Sequence, residues 1–296
     1  MTIVVTGSLG HIGRPLTEIL VKKGHEVTVV SSKPDRVAEI EALGARAAIG
    51  SVEDAEFLKG VFTGADLAYT MIPPGDFRNQ DYDVYERVGA LMNTYRQALA
   101  DAGVKRVIHL SSIGAHTDKG NGLLRLHFIA ETILKELPDD VHLTFMRPTG
   151  FFYNLLGFIP LIKSQGMIAA NYGGDDVASW VAPADIATAI AEEIDNPTVA
   201  NRSFRYVASD ELSCNEVARI LGAAIGKPGL TWIKISDDQM LQGLLAAGMK
   251  PDIAEGYVEM YARQGLYEDY YRHHPTLGKT KLAAFAPEFA AAYHRQ

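Results

Sequence analysis

Three glycines spaced Gly7-x-x-Gly10-x-x-Gly13 follow the first β-branched run, Ile3-Val4-Val5, and open into a helical pattern over His11–Lys23. No other feature narrows the fold as far. A helix that starts directly after a glycine loop leaves its first N–H groups free, and these suit an anion. One glycine permits the tight turn, one lets backbone approach a pyrophosphate, and one lets the helix pack against the strand. Thr6 at the strand end, Gly7, Gly10, His11, Ile12 and Gly13 are therefore candidate dinucleotide contacts.

The surrounding pattern fits. Short apolar runs at Glu26–Val30, Arg46–Ile49, Leu67–Met71, Arg106–Leu110 and Thr144–Met146 alternate with helical stretches at Pro34–Leu43, Asp54–Lys59, Asp81–Ala102 and Leu123–Glu136. In Asp81–Ala102, Val84, Val88, Leu91, Tyr95, Ala98 and Leu99 fall on one stripe. Such alternation predicts an α/β fold of the Rossmann type, a doubly wound parallel sheet covered on both faces. After Arg147-Pro148 the pattern changes. Phe151–Ile162 is dense in apolar residues, and strand candidates Ala178–Val181 and Phe204–Val207 flank a helix at Pro183–Ile194. Ser213-Cys214-Asn215-Glu216 matches a capping box. Helices follow around Asp237–Ala247, Ile253–Gln264 and Lys279–Tyr293. The expectation is a dinucleotide-binding domain over 1–150 and a smaller, mostly helical substrate lobe over 151–296, interleaved with the sheet near 178–207.

Composition removes several function classes. With 28 Lys and Arg against 36 Asp and Glu, the net charge is −8, and Lys105-Arg106 is the nearest approach to a basic cluster. Direct nucleic-acid binding is not expected. The single cysteine, Cys214, cannot pair within the chain, and Met1 leads into Ile3-Val4-Val5 without a basic start, so no secretory leader is expected and the cytoplasm is the expected compartment. The longest uncharged stretch, Pro148–Ile162, falls short of the roughly 20 residues that span a bilayer. No His-Glu-x-x-His and no Gly-x-Ser-x-Gly occurs, so neither a metal site nor a hydrolase elbow is expected. Homo-oligomerisation stays open.

The end of the second strand reads Val29-Val30-Ser31-Ser32-Lys33-Pro34-Asp35-Arg36, with no acid directly after the strand. A carboxylate there would accept from a ribose 2′-OH. Hydroxyls and a cation suit a 2′-phosphate instead. Ser31, Ser32 and Lys33 thus point to NADP(H), with the alternative that Lys33 is merely a solvated loop side chain.

The Gly-x-x-Gly-x-x-Gly spacing resembles the short-chain dehydrogenase/reductase superfamily, whose members usually carry Tyr-x-x-x-Lys on the helix after the fifth strand. None of the 13 tyrosines here has Lys four residues on. After Arg106–Leu110 and the turn Ser111-Ser112-Ile113-Gly114-Ala115 comes His127-Phe128-Ile129-Ala130-Glu131. Residues four apart share a helix face, so His127 and Glu131 stand where that pair would. They are the candidate catalytic residues, His127 as proton donor and Glu131 as its orienting or pKa-raising partner. The alternative is a local pair with no chemistry. Ser111 and Ser112, at the carboxyl edge of the sheet, are candidates to contact nicotinamide or substrate.

The chain also resembles the NmrA-like proteins, an atypical short-chain dehydrogenase group that includes NAD(P)H:quinone oxidoreductases and triphenylmethane-dye reductases. The matching segments are Thr6-Gly7-x-x-Gly10-x-x-Gly13, Met71-Ile72-Pro73-Pro74, Gly103 to Ser112, and Arg147-Pro148-Thr149-Gly150-Phe151-Phe152-Tyr153-Asn154, with further likeness at Tyr257–Gly265 and His274-Pro275-Thr276. The resemblance implies a Rossmann fold, a nicotinamide dinucleotide, and cofactor contacts at Met71, Ile72, Pro73, Pro148 and Phe151. The group usually has Gly-Asp after the third strand; here Gly50-Ser51 stands there. Met71, Ile72, Phe151, Phe152, Tyr153 and Trp180 are candidate pocket walls, suited to a planar aromatic more than to a sugar nucleotide. Two functions follow: an NADPH-dependent oxidoreductase acting on a quinone-like or other electron-poor aromatic, or a non-enzymatic NADP(H) sensor that binds a protein partner.

Overall fold

A computed structural model describes the chain except residues 76–78, 80, 82, 263–265, 274 and 296. Position 82 of the expected stretch Asp81–Ala102, positions 263 and 264 of Ile253–Gln264, and Gly265 and His274 of the family-like segments lie outside the described residues. The strands are β1 (Thr2–Val5), β2 (Glu26–Ser31), β3 (Arg46–Ile49), β4 (Leu67–Met71), β5 (Arg106–Leu110), β6 (His142–Pro148), β7 (Gly150–Phe151), β8 (Met167–Ala170), β9 (Val177–Val181), β10 (Arg202–Val207), β11 (Asp210–Ser213) and β12 (Thr231–Lys234). The helices are α1 (Gly13–Lys22), α2 (Val37–Ala42), α3 (Ala55–Phe62), α4 (Val84–Asp101), α5 (Arg125–Leu134), α6 (Ile159–Gln165), α7 (Pro183–Asp195), α8 (Cys214–Ala224), α9 (Asp237–Ala246), α10 (Pro251–Ala262), α11 (Leu266–Arg272) and α12 (Leu282–Arg295).

Seven strands form one sheet in the order β3-β2-β1-β4-β5-β6-β10, and every pairing in it is parallel. Successive residues of a strand face opposite sides. Ile3 and Val5 pack with Leu16 and Leu20 of α1 and Ile186 and Ile190 of α7. Val4 packs on the other face with Leu58 of α3, Val88 of α4 and Ala130 of α5. This is the alternating pattern of the sequence turned into two cores. Side-chain caps start two helices of the second face: Asp54 accepts from Phe57 N for α3, and Asp83 from Tyr85 N and Glu86 N for α4. The strand order reverses between β1 and β4, and the crevice at such a switch point is where doubly wound sheets bind ligands.

The second half builds its own core around Phe152, Leu155, Trp180, Trp232 and Phe289. The expected capping box is present, Ser213 accepting from Glu216 N while Glu216 accepts from Ser213 N. Of the two strands expected near 178–207, β10 lies beside β6 in the large sheet, whereas β9 pairs with β7 and β11 in a separate three-stranded sheet. A two-stranded β8–β12 sheet completes the lobe. Four of these short strands, β7, β8, β11 and β12, carry two to four residues each, too few for a period of two to show.

Candidate active site

Two positions of the glycine loop, Gly7 and Gly13, leave no room for a Cβ. Gly7 has φ +90°, and a Cβ there would sit 2.2 Å from Met71 Sδ. A Cβ on Gly13 would meet the Ser8 carbonyl oxygen at 2.1 Å, which is how α1 approaches the turn. Gly10 differs: its nearest neighbour would be the Gly7 oxygen at an ordinary 3.5 Å, because this glycine faces open space. No side chain caps α1, so its amino end is open to a ligand. Ser8 Oγ donates to Ser31 Oγ (3.0 Å), which also accepts from Lys33 N (3.2 Å), fastening the loop to β2. Thr6 is fully buried, with the Tyr95 hydroxyl 3.3 Å from its Oγ1.

A cavity of about 850 Å³ runs from this loop across the carboxyl ends of β1, β4, β5 and β6. Thr6, Gly7, Gly10, His11, Ile12 and Gly13 all stand on its wall, as do Ser31 and Ser32. So do Met71, Ile72 and Pro73, and Ser111, Ser112, Pro148 and Phe151. Lys33 does not; it is exposed beyond the wall. The nearby cations have another centre, the carboxylate of Glu39, which takes both Arg14 and Arg36. Gly50 and Ser51 line the cavity past β3. Glu53, also on the wall, accepts from Arg87 Nε at 3.0 Å. These two are the only side chains of formal charge among the described lining residues.

His127 stands on the wall, with Nδ1 buried and without a hydrogen-bond partner. Burial lowers its pKa to about 4; the Glu131 charge pushes upward but by less. Glu131 thus raises the His127 pKa as expected of it, but burial outweighs it, and no hydrogen bond from Glu131 orients the imidazole. Glu131 is fully buried and spends its oxygens elsewhere. Oε1 accepts from Ser111 Oγ (2.7 Å) and Arg147 Nε (2.9 Å), and Oε2 from Arg147 Nη2 (2.8 Å) and Lys135 Nζ (3.4 Å). A guanidinium on a neighbouring strand outcompetes a neutral imidazole on the same helix. His109, buried in β5 with Nδ1 2.9 Å from Thr70 Oγ1, is lowered to about 3, by burial first and His127 second. Both imidazoles are neutral at pH 7.

The far end is aromatic. Tyr153 stacks on His11 of the glycine loop (4.5 Å, 20° between planes) and on Phe151 (5.0 Å, 25°). Desolvation pushes the Tyr153 hydroxyl up to about 12, so it stays protonated. Trp180 lines the cavity as expected of it, whereas Phe152 is buried in the second core, stacked on Phe285. Sequence reasoning missed the opposite wall: Tyr257, Met260 and Tyr261 from α10, and Leu266 and Tyr267 from α11. The 257, 260, 261 spacing is one helix face and was the available signal. It does not say what that face covers.

Among the described residues no group of three His, Cys, Asp or Glu side chains could hold a metal, and no helix is long and apolar enough to cross a membrane. A model of the NmrA-like family matches residues 1–283. An NAD(P)H azoreductase of Xenophilus azovorans is 26% identical over 260 residues, covering 88% of this chain and 86% of that one. Among solved structures, the triphenylmethane reductase of Citrobacter sp. superposes with a TM-score of 0.77 at 19% identity, over 98% of this chain and 100% of that one. An NADPH-dependent quinone oxidoreductase of Escherichia coli, complexed with NADPH, gives 0.73 at 20% identity over 97% and 99%. At these identities the structural likeness is one of fold.

Proposed function

The chain belongs to the NmrA-like family, and on that premise we propose that it is an NADPH-dependent oxidoreductase that passes hydride to a quinone-like or other electron-poor aromatic acceptor. One observation carries the reading: a single cavity starts at a glycine loop shaped for a pyrophosphate and ends in an uncharged aromatic wall. The residues fit a dinucleotide. The open space at Gly10 and the uncapped start of α1 receive the phosphates. Ser32 and Ser51 face the adenosine end, where β2 offers no carboxylate to a 2′-hydroxyl. Ser111, Ser112, Pro148 and Phe151 border the nicotinamide end.

When bound, the reduced nicotinamide supplies the hydride, and the protein's part is to orient, exclude water and stabilise charge. Tyr153, Phe151 and His11 form a stacked rim that shields the junction of the two ends. His127, neutral at pH 7, offers an N–H to the acceptor oxygen that gains charge, acting as a hydrogen-bond donor rather than as a pre-formed imidazolium. Solvent then provides the proton. A quinone needs no strongly basic protein group, so a site without Tyr-x-x-x-Lys suffices. The relatives named for azo, triphenylmethane and quinone reduction support an aromatic acceptor.

The test is NADPH oxidation with a panel of quinones, azo dyes and triphenylmethane dyes. Steady, saturable turnover on at least one class is expected. Tight NADP(H) binding with no turnover on any of them would replace this reading with that of a redox sensor.

A further inference from the structure

Glu131 and Arg147 are the innermost pair of a longer polar chain. Arg147 lies on β6 beside two rings of β10, its guanidinium carbon 4.1 Å from the Phe204 centroid and 5.6 Å from that of Tyr206. Its Nη1 approaches the Tyr206 hydroxyl (3.5 Å) and Asp269 Oδ2 (3.7 Å). Tyr206 donates to Asp269 Oδ2 at 2.5 Å. The carboxylate of Asp269 also stands 3.9 Å from His116 and His273, and 3.9 Å from Arg272. At its other end the chain reaches Ser111 through Glu131.

The two ends matter because one lines the cavity and the other belongs to a helix that does. Ser111 is part of the floor at the end of β5. Asp269 belongs to α11, whose Leu266 and Tyr267 form the acceptor-side wall. The Leu266 side chain sits against Gly114, where a Cβ would come within 2.7 Å of it. The helix is seven residues long, too short to hold its own shape without tertiary contacts. Two sets of contacts fix it: Tyr270 accepts from Ser179 Oγ (3.0 Å) and donates to Glu211 (2.8 Å) on one side, and Tyr206 and Arg147 reach Asp269 from the large sheet on the other.

We propose that Asp269 and Tyr206 are positioning residues for the acceptor: with Arg147 and Glu131 they tie the α11 wall to the Ser111 floor and so set the width of the acceptor end. This rests on the reading of that end as an acceptor site. It assigns the buried Glu131 a mechanical part in place of the proton chemistry its helix position suggested. Apart from Ser111, which also borders the nicotinamide end, the dinucleotide end shares none of these contacts, since the glycine loop is fastened through Ser8, Ser31 and Thr6. Acceptor and cofactor binding are therefore separable by mutation.

The variants are Asp269→Asn, which removes the charge facing Arg147, and Tyr206→Phe, which removes one hydroxyl and keeps the ring over the guanidinium. Each is measured for NADPH affinity, for kcat and KM toward a naphthoquinone, and for amide hydrogen exchange. The acceptor KM is expected to rise about tenfold, the usual scale for a lost charge-assisted hydrogen bond, while NADPH affinity stays within about twofold. Exchange should quicken over residues 266–272 and not over the glycine loop. Unchanged exchange at 266–272 in both folded variants overturns the proposal, and so does an equal loss for acceptor and NADPH. If the unmodified protein turns over no acceptor, the functional reading fails alone, and the exchange comparison still decides whether Asp269 and Tyr206 hold the wall. Should Asp269→Asn fail to fold, Tyr206→Phe carries the same two readouts.

Discussion

The dinucleotide end of the cavity is made from a few short stretches of chain, each a strand end and the turn after it. The acceptor end adds side chains of α5, β9, α10 and α11, elements that share no turn with the strand ends they face. The first end works mainly through backbone: a glycine at φ +90°, a turn that admits no Cβ, an uncapped helix start. The second works through side chains whose positions depend on a buried ion pair. Backbone sites tolerate little change in local sequence but resist changes elsewhere. Side-chain sites can be loosened from a distance, which leaves acceptor choice free to drift while the cofactor site stays fixed.

The ion pair offers the hardest way to break this contrast. Glu131→Gln leaves Arg147 buried beside a neutral amide, and losing one partner of such a pair costs about 3–5 kcal/mol. For a chain of this size that lowers the melting temperature by roughly 5–8 °C. A shift under a couple of degrees by calorimetry would show that the pair does not organise the acceptor end. Next comes the glycine loop. Gly10→Val places a branched side chain in the open space where phosphates belong, and losing one or two backbone bonds to a charged group weakens NADPH binding on the order of 100-fold. The fold survives, because a Cβ there meets only an ordinary 3.5 Å contact. Unchanged affinity by isothermal titration would take the loop out of the site.

His127→Ala tests the junction of the two ends. A positioned donor contributes roughly 10²–10⁴-fold in general acid catalysis, but a quinone delocalises its charge, so a loss of about 10-fold in kcat with NADPH affinity unchanged is expected. An unaltered rate across pH 6–8 would make the imidazole structural. The same residue has a stability signature shared with His109. Their folded pKa values, about 4 and about 3, lie below the ordinary 6.5. The unfolded chain therefore takes up protons first, and stability falls as pH drops from 6.5 toward 4 and below. Melting temperature should be flat from pH 8 to 7 and decline by pH 5, with His127→Ala showing a shallower decline. The smallest effect belongs to Lys33. Exposed and beyond the wall, its ammonium adds at most about threefold to NADPH over NADH, so Lys33→Ala should change that ratio little. A tenfold swing in the ratio would bring Lys33 to the 2′-phosphate after all.

These contrasts follow what a sequence can carry. The glycine loop, the strand–helix alternation and the Ser213 capping box are local rules written within a few residues, and the structure places them where local rules put them. The helix face shared by His127 and Glu131 was also legible. Its partners were not: Arg147 reaches Glu131 from another strand and binds both its oxygens, while burial holds the His127 imidazole neutral. Phe152 and Trp180 were indistinguishable by residue type, yet one fills a core and the other lines the cavity. The aromatic face of α10 showed its period but not its destination. What stayed hidden was non-local in each case.

In the function proposed above both ends serve one reaction, hydride passing from a dinucleotide at the glycine loop to an aromatic acceptor against the α10–α11 wall. Single-turnover oxidation of NADPH carrying deuterium in turn at each of its two C4 positions, with a saturating naphthoquinone, measures this directly. A large primary isotope effect for one C4 position and only a small secondary one for the other is the predicted result, since a fixed wall presents one face of the ring. Equal rates for both labelled forms, or NADPH bound tightly and never consumed, would contradict it.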